Sequence, residues 1–315
     1  MKNTTSSTLK WIVSATVICL AVVLQACSGS GSAASSGSTN QVASGVVTGF
    51  GSVFVDGVEL EDANASVVTE NYDGTTSNSV LQMGQRVRVA HDGKGTANKV
   101  TLDAAVIGSV SSINTATTPN TLTVAGQKVT VVTNITLGAL TVWGGGYSSI
   151  TDVVVNELVE VHGTPVYDST TQTYNVNATR IAKVPDSTVR MQVAGTISGL
   201  NPTAQTFALN GLTVNYATAT LRPSGATLAN GTVVTAYAPA TALAASTVTA
   251  SHVKVNHLQD SSLSVSNAQI GGQVSKYDSV AKTFEVQGTK ILIGAVTTVN
   301  PSGKTVANGA YVNVS

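Results

Sequence analysis

Phe207-Ala208-Leu209-Asn210-Gly211-Leu212-Thr213-Val214 places an Asn-Gly pair between two short alternating segments. Asn-Gly flanked by alternating apolar residues is among the strongest short-range signals for a two-residue β-hairpin. The stretch therefore predicts two antiparallel strands joined by a tight turn. Three other stretches carry the same arrangement around a Gly turn, at 53–58, 122–129 and 284–291.

Each predicted hairpin stands in the same sequence context. A Gly-x-β-branched-Ser/Thr opening precedes it, at 45–48, 108–111, 195–198 and 272–275, and a turn entering a strand follows it, at 83–89, 155–161, 229–234 and 307–314. Three of the four units then end in a further strand, at 98–102, 178–183 and 251–255. This order predicts a diverged tandem repeat of all-β modules.

The spacing between successive openings is uneven, at 63, 87 and 77 residues, which places insertions in loops. It favours small barrels or sandwiches on a string over a solenoid with fixed register. The predicted modules are 45–104, 105–185, 190–258 and 268–315. The fourth stops at Ser315 without the last strand, so it is either closed differently or truncated, and an unpaired strand there would be an exposed edge.

The order of these signals resembles a repeated β domain of unknown function found in exported proteobacterial lipoproteins. The resemblance covers about 45–315 and depends on pattern rather than on one sharp motif. It implies a compact closed barrel of five or six strands per unit, with an OB-like arrangement as one possibility. It implies no activity, because the family has no assigned catalytic residues.

Composition narrows the class of protein. Charged residues make up 10% of the chain, and basic and acidic residues balance at 16 each. Soluble domains average about 25% charged residues. No basic patch emerges, so the sequence predicts no nucleic-acid partner. The abundance of Val, Thr, Ser, Asn and Gly is typical of strands joined by tight turns and predicts almost no helix.

The N-terminus is typical of a targeting segment. Lys2 and Lys10 precede an apolar run of about 16 residues, shorter than the roughly 20 that a membrane-spanning helix needs. Leu24-Gln25-Ala26-Cys27 resembles a bacterial lipobox, which predicts cleavage of a signal peptide at 1–26 and lipidation of Cys27. The alternative is an ordinary signal peptide that leaves Cys27 as a free thiol. Cysteine usage favours lipidation, since no Cys follows Cys27 and an unpaired exported thiol is a liability.

By resemblance to lipoprotein sorting rules, Ser28 after the cysteine indicates the outer membrane, with the body facing the periplasm or the surface. The Ser/Gly-rich stretch to residue 44 completes a predicted anchor-and-tether segment, 27–44. A coil of this composition has a reach of roughly 20–25 Å.

Candidate chemistry is sparse. The histidines His91, His162, His252 and His257 are predicted at surface or turn positions, and 92–95 is predicted as a hairpin turn rather than a phosphate loop. Glu59 and Glu61 would share a strand face but provide too few oxygens for a typical Ca²⁺ site. Asp152, Glu157 and Glu160 could supply paired carboxylates for glycoside hydrolysis, yet no signal marks them as paired. The sequence predicts no metal, no cofactor and no catalytic residue.

Trp143-Gly144-Gly145-Gly146-Tyr147 lies in the insertion of the second unit. Trp143 and Tyr147 are therefore the weak candidates for a ligand-binding loop, because exposed aromatic rings stack on sugars and anchor partners. The alternative, that Trp143 closes the end of a barrel, is favoured.

Three functional hypotheses follow. The leading one is a non-enzymatic, lipid-anchored envelope protein that serves as a spacer or binding platform for an envelope protein or glycan. The second is an adhesion module that binds glycan or protein through loop aromatics. The third, remote one is a hydrolase.

Overall fold

The computed structural model describes residues 41–56, 58–137, 139–185, 190–244, 246–255, 268–295, 297 and 305–315. The described chain is nearly all β-structure, as the composition predicts, and its helical segments are three single 3₁₀ turns: Ile135–Leu137, Ile150–Asp152 and Ala240–Ala242. Within the described ranges, no helix has the length and hydropathy that crossing a bilayer requires. Cys27, the predicted signal peptide and His257 lie outside the described residues.

The strands fall into four groups in chain order. The first barrel contains β1 (Gln41–Gly49), β2 (Val53–Val55), β3 (Val58–Leu60), β4 (Ser66–Glu70), β5 (Thr76–Asn78), β6 (Arg86–His91) and β7 (Ala97–Leu102). The second barrel contains β8 (Val106–Asn114), β9 (Thr121–Val124), β10 (Gln127–Val131), β11 (Val142–Gly144), β12 (Leu158–Asp168) and β13 (Thr173–Lys183).

The third barrel contains β14 (Arg190–Asn201), β15 (Thr206–Leu209), β16 (Leu212–Asn215), β17 (Thr220–Arg222), β18 (Val233–Pro239), β19 (Leu243–Ala244), β20 (Thr247–Thr249) and β21 (His252–Val255). The fourth sheet contains β22 (Ala268–Asp278), β23 (Thr283–Val286), β24 (Thr289–Leu292) and β25 (Tyr311–Val314).

The second barrel closes completely with five strands. Its pairing runs β8-β9-β10-β13-β12 and back to β8, and only β10 and β13 are parallel in this circuit. This order, with the third and fifth strands parallel, is that of the OB-fold, a small Greek-key barrel. The first barrel follows the same order but closes through a single bridge, Glu61 to Thr96. In the third barrel the fifth strand is interrupted, so β20 pairs with β16 and β21 pairs with β18.

The predicted hairpin turns form as expected. Asn210 and Gly211 have φ values of 49° and 90°, so both central residues lie in the left-handed region that a type I′ turn requires. The turn of each unit then folds back over its opening strand. A Cβ on Gly108 would lie 2.7 Å from the Cβ of Ala125, at the turn after β9. This contact explains the glycine at position 108.

The second and third barrels share a strand pair and are not separate bodies on a string, contrary to the prediction from spacing. The first strands of the second and third barrels pair directly, Gln192 with Ile107 and Val193 with Val106. One continuous hydrophobic core consequently runs through both barrels. Uneven loop lengths permitted independent modules, but edge pairing between first strands buries apolar residues that isolated modules would expose.

The folded body also begins earlier than predicted. β1 starts at Gln41, so the last four residues of the predicted tether belong to a strand. Val42 and Ala43 are buried because β1 pairs with β6 on one side and with β22, from the far end of the chain, on the other. Both edges of β1 are covered only when β22 pairs with it.

Candidate functional site

A group of charged side chains lies where the three barrels meet. The β4–β5 hairpin of the first barrel extends to the third, and Glu70 at the end of β4 accepts a bond from Lys254 Nζ at 2.7 Å. The hydroxyl of Tyr237 donates to the same carboxylate at 2.8 Å, and its ring stacks on His252 at 4.1 Å. We call this contact region the junction.

Backbone carbonyls of the hairpin complete the contact with the third barrel. The Tyr72 carbonyl accepts a bond from Ser251 Oγ at 2.5 Å and lies 2.6 Å from His252 Nδ1. A carbonyl cannot donate, so Nδ1 of His252 carries the proton. Burial lowers the pKa of His252 and favours the neutral ring. Arg222 donates to the Gly74 carbonyl at 2.8 Å and fixes the tip of the hairpin.

Arg190 links all three barrels. Its NH1 atom donates to Thr69 Oγ1 at 2.7 Å and to the Glu70 carbonyl at 2.8 Å, both in the first barrel. Its NH2 atom bonds to Glu160 Oε2 of the second barrel at 3.1 Å. The other oxygen of Glu160 lies 2.9 Å from Nε2 of His162. The side chains of Arg190 and Glu160 are about 15% exposed, so water weakens this pair little.

His162 continues the linkage back to the first barrel. The backbone N–H of Arg86 donates to His162 Nδ1 at 3.1 Å. Since Nδ1 accepts, the ring proton lies on Nε2 and points at Glu160. His162 is 0% exposed and His252 is 2% exposed, so the expectation of surface or turn histidines is wrong for both. His91 is also buried and is the last residue of β6, directly before the turn to β7.

A further ionic group, of two arginines and one aspartate, lies within the first barrel. Arg86 NH2 is 3.2 Å from Asp103 Oδ2, and Arg88 NH2 is 3.8 Å from the same oxygen. Burial alone would raise the pKa of Asp103, but the guanidinium groups of Arg86 and Arg88 outweigh it and hold the pKa below its usual range.

Nearby charged and hydrogen-bonding groups lower the pKa values of Glu70 and Glu160 in the same way. Desolvation opposes ionisation of Glu70, yet Lys254 lowers its pKa overall. Glu160 is likewise desolvated, and its bond to His162 lowers its pKa. Glu70, Asp103 and Glu160, which we call the junction carboxylates, are therefore held ionised by the hydrogen bonds and cations around them. All three of these carboxyls have lowered pKa values.

The three carboxylates considered for hydrolysis are held in different structural roles. Asp152 accepts bonds from the backbone of Ser148 and Ser149 and shapes a 3₁₀ turn. Glu157 accepts the Tyr147 hydroxyl and pairs with Lys183, which lowers its pKa to about 2. Glu160 is largely buried, with its side chain 14% exposed, and is paired with Arg190 at the junction, contrary to the expectation that nothing marks it as paired.

The candidate ligand loop packs against the barrel. Trp143 lies in β11, is half-buried and contacts the shared core of the second and third barrels. Tyr147 is 9% exposed and donates to Glu157 Oε2 at 2.6 Å, and burial raises its pKa. At Gly145, φ is 65° and a Cβ would lie 2.2 Å from the Lys183 carbonyl oxygen, so the glycine run forms a close-packed turn. Ligand binding through Trp143 and Tyr147 stays a prediction.

A groove of about 100 Å³ runs between the first barrel, the second barrel and the fourth sheet. The polar side chains that line it are hydroxyls and one amide: Thr136, Thr164, Thr179, Gln273 and Tyr311. Within the described ranges, no group of three or more His, Cys, Asp or Glu side chains is arranged to hold a metal ion.

Residues 194–254 match the family model described as a domain of unknown function, DUF5666. The match begins in β14 and ends in β21, so it spans the third barrel. The family carries no assigned activity, in keeping with the resemblance noted from the sequence. No curated protein matches the chain.

Proposed function

We propose that this protein is a non-enzymatic, lipid-anchored component of the bacterial outer membrane in which tandem β domains form one rigid platform. The junction carries the proposal. Arg190, Glu160 and His162 connect three barrels through a chain of largely buried bonds. The two bonds to Glu160 are charge-assisted, and such bonds are stronger than neutral ones. A flexible spacer would need no such linkage.

Other features support parts of the proposal. The lipobox at 24–27 supports lipid anchoring at Cys27, and the Ser/Gly-rich stretch after it supports a tether. The same pairing order in 41–102, 106–183 and 190–255 supports a tandem origin of the barrels from one domain type. The paired state of the junction carboxylates supports a structural role for the charges found there.

Rigidity is tested by amide ¹⁵N relaxation on the intact protein. One tumbling time for the amides of β6, β12 and β18 is the expected result. Separate and faster tumbling of each barrel would contradict the platform. An Arg190→Met protein serves as the comparison, because it removes the shared side chain and should increase motion between barrels.

Anchoring is tested with Cys27→Ser. The substitution should release the protein into the soluble fraction and abolish labelling by a radioactive fatty acid. Cys19→Ser is the matched control, since it changes the other cysteine and should leave labelling intact. Unchanged membrane association of Cys27→Ser would exclude the anchor.

A further inference from the structure

Two tyrosine rings stand side by side at the end of the β12–β13 hairpin. Tyr167 of β12 and Tyr174 of β13 are directly opposite each other in the strand pairing, so both side chains project from the same face of the hairpin. Their ring centroids are 5.2 Å apart, and the two planes make an angle of 58°. The electron-rich face of an aromatic ring attracts a cation, and two tilted rings together attract it more strongly than one.

The fourth sheet brings a cation and a carboxylate to these rings. Nζ of Lys276, in β22, lies 4.5 Å from the ring centroid of Tyr167 and 4.7 Å from that of Tyr174. Oε1 of Glu285, in β23, is 3.3 Å from the same Nζ. The hydroxyl of Tyr174 donates to Oε2 of Glu285 and fixes the carboxylate. Two ring faces and one carboxylate thus face a single positive charge, and we call Tyr167, Tyr174 and Glu285 the cage.

Lys276 fits the cage incompletely. An ammonium group carries several N–H donors, but among the described residues Glu285 is the one hydrogen-bond acceptor of Nζ. Their distance of 3.3 Å is longer than the roughly 2.7–2.9 Å of a typical charge-assisted bond. The side chain of Lys276 is also 36% exposed, so water reaches it. Ring faces attract a cation without accepting ordinary hydrogen bonds, and the cage therefore suits an alkylated ammonium group better than a lysine.

The backbone of Lys276 shows that its side chain serves the cage rather than the strand. Lys276 has a φ of 47°, in the left-handed region, and lies in a bulge of β22. The corresponding bulge of β14 holds Gly199, with a φ of 56°. Glycine adopts this region freely, whereas the Cβ of a lysine makes it unfavourable. Backbone strain of this kind is concentrated at functional sites.

We propose that the cage is a binding site for a trimethylammonium group, and that the side chain of Lys276 occupies it in the absence of ligand. The ligand takes the position of Nζ, with its methyl groups against both rings and its charge beside Glu285. A trimethylammonium group with its first methylene has as many heavy atoms as a lysine side chain, so the displaced side chain leaves matching space. The ammonium of Lys276 then moves fully into water.

The probe is choline, added to the full-length protein. The NMR signals of the Tyr167 and Tyr174 ring protons should shift saturably as choline is added. The neutral tert-butyl analogue of choline has nearly the same shape without the charge, and it should cause no such shift. Equal shifts with the two compounds would overturn recognition of the cation.

Lys276→Gly removes the side chain that occupies the cage and places glycine where the backbone favours it. Choline should bind this protein about tenfold or more tightly than the native one, because no competing side chain has to leave. Lys276→Arg keeps a cation on the same strand and should bind no more tightly than the native protein. Absence of a saturable shift in Lys276→Gly would overturn the site, and equal binding by Lys276→Gly and native protein would overturn the role of Lys276.

The ring of Tyr167 is tested in the Lys276→Gly background. Tyr167→Leu should weaken choline binding by about five- to thirtyfold, the effect of losing one cation–π contact. Tyr167→Phe keeps the ring face and should bind like its parent. If Tyr167→Leu folds poorly, nuclear Overhauser contacts from the choline methyl protons decide the location. Contacts to other tyrosines, and none to Tyr167 or Tyr174, would overturn the site.

A vesicle experiment distinguishes two sources of the trimethylammonium group. Phosphatidylcholine vesicles, with phosphatidylglycerol vesicles as the control, are added to the choline-bound Lys276→Gly protein. Release of choline by phosphatidylcholine alone would identify a lipid headgroup as the ligand, and retention of choline would identify a free solute. Release by both kinds of vesicle would show that membrane contact rather than headgroup recognition displaces choline, and would overturn the lipid source.

Discussion

Replacing Arg190 by Met should lower the free energy of unfolding by about 3–5 kcal/mol, the usual loss when one partner of a buried ion pair is removed. Met retains much of the apolar stem, so the loss measures the guanidinium. The substitution removes bonds to Thr69 Oγ1, to the Glu70 carbonyl and to Glu160, at 2.7, 2.8 and 3.1 Å. It also leaves Glu160 with a buried charge balanced by fewer donors.

The matched control is Arg222→Met. Arg222 donates one bond to the Gly74 carbonyl, is half-buried and also links the first barrel to the third. Its loss should cost about 1–2 kcal/mol, typical of a single bond from a charged donor to a neutral acceptor. Urea unfolding followed by Trp143 fluorescence measures both proteins. A loss below about 1 kcal/mol for Arg190→Met would refute the reasoning, since exposed ion pairs contribute that little.

Three further predictions concern pH, packing and the aromatic loop. The folded-state pKa values of the junction carboxylates lie below their unfolded values, so their contribution to stability is complete above about pH 5 and is lost as pH falls through the folded values. The urea midpoint should therefore drop between pH 7 and pH 3, and it should drop less in Arg190→Met. An unchanged midpoint would contradict this prediction. Gly108→Val should cost about 1–3 kcal/mol by driving its side chain into Ala125, whereas Gly294→Ala, whose Cβ meets only Thr297 Oγ1 at 3.6 Å, should be nearly neutral by thermal melting. The fluorescence of Trp143 should be blue-shifted and should resist quenching by acrylamide, because the ring contacts the core. Emission like that of free tryptophan would instead support an exposed binding loop.

The local part of the fold was predictable because its causes are local. Asn210-Gly211 decides a hairpin within four residues, and alternation of apolar side chains decides which face of each strand is buried. The opening glycines were visible as a pattern, although their cause was not. At Gly108 the cause is the turn after the second strand, because Ala125 folds back onto the glycine.

The junction was not predictable because its partners are far apart in the chain. Arg86 and His162 are 76 residues apart, and Tyr72 and His252 are 180 apart. Local sequence around each histidine indicates only a strand or turn, and polar residues there are usually solvated. His162 and His252 are buried against residues of the first barrel, and no short window of sequence encodes such contacts between barrels. The start of β1 at Gln41 depends in the same way on distant β22.

The pairing of β1 on both sides has a mechanical consequence. β1 is bonded to β6 over Gln41–Val46 and to β22 over Val42–Ser44, so tension that enters at Gln41 and pulls along the strand strains both sets of hydrogen bonds together. Bonds sheared in parallel resist far more force than bonds opened one after another. A pull on the N-terminal end of the folded body therefore acts directly on β1, the strand that is hydrogen-bonded on both sides.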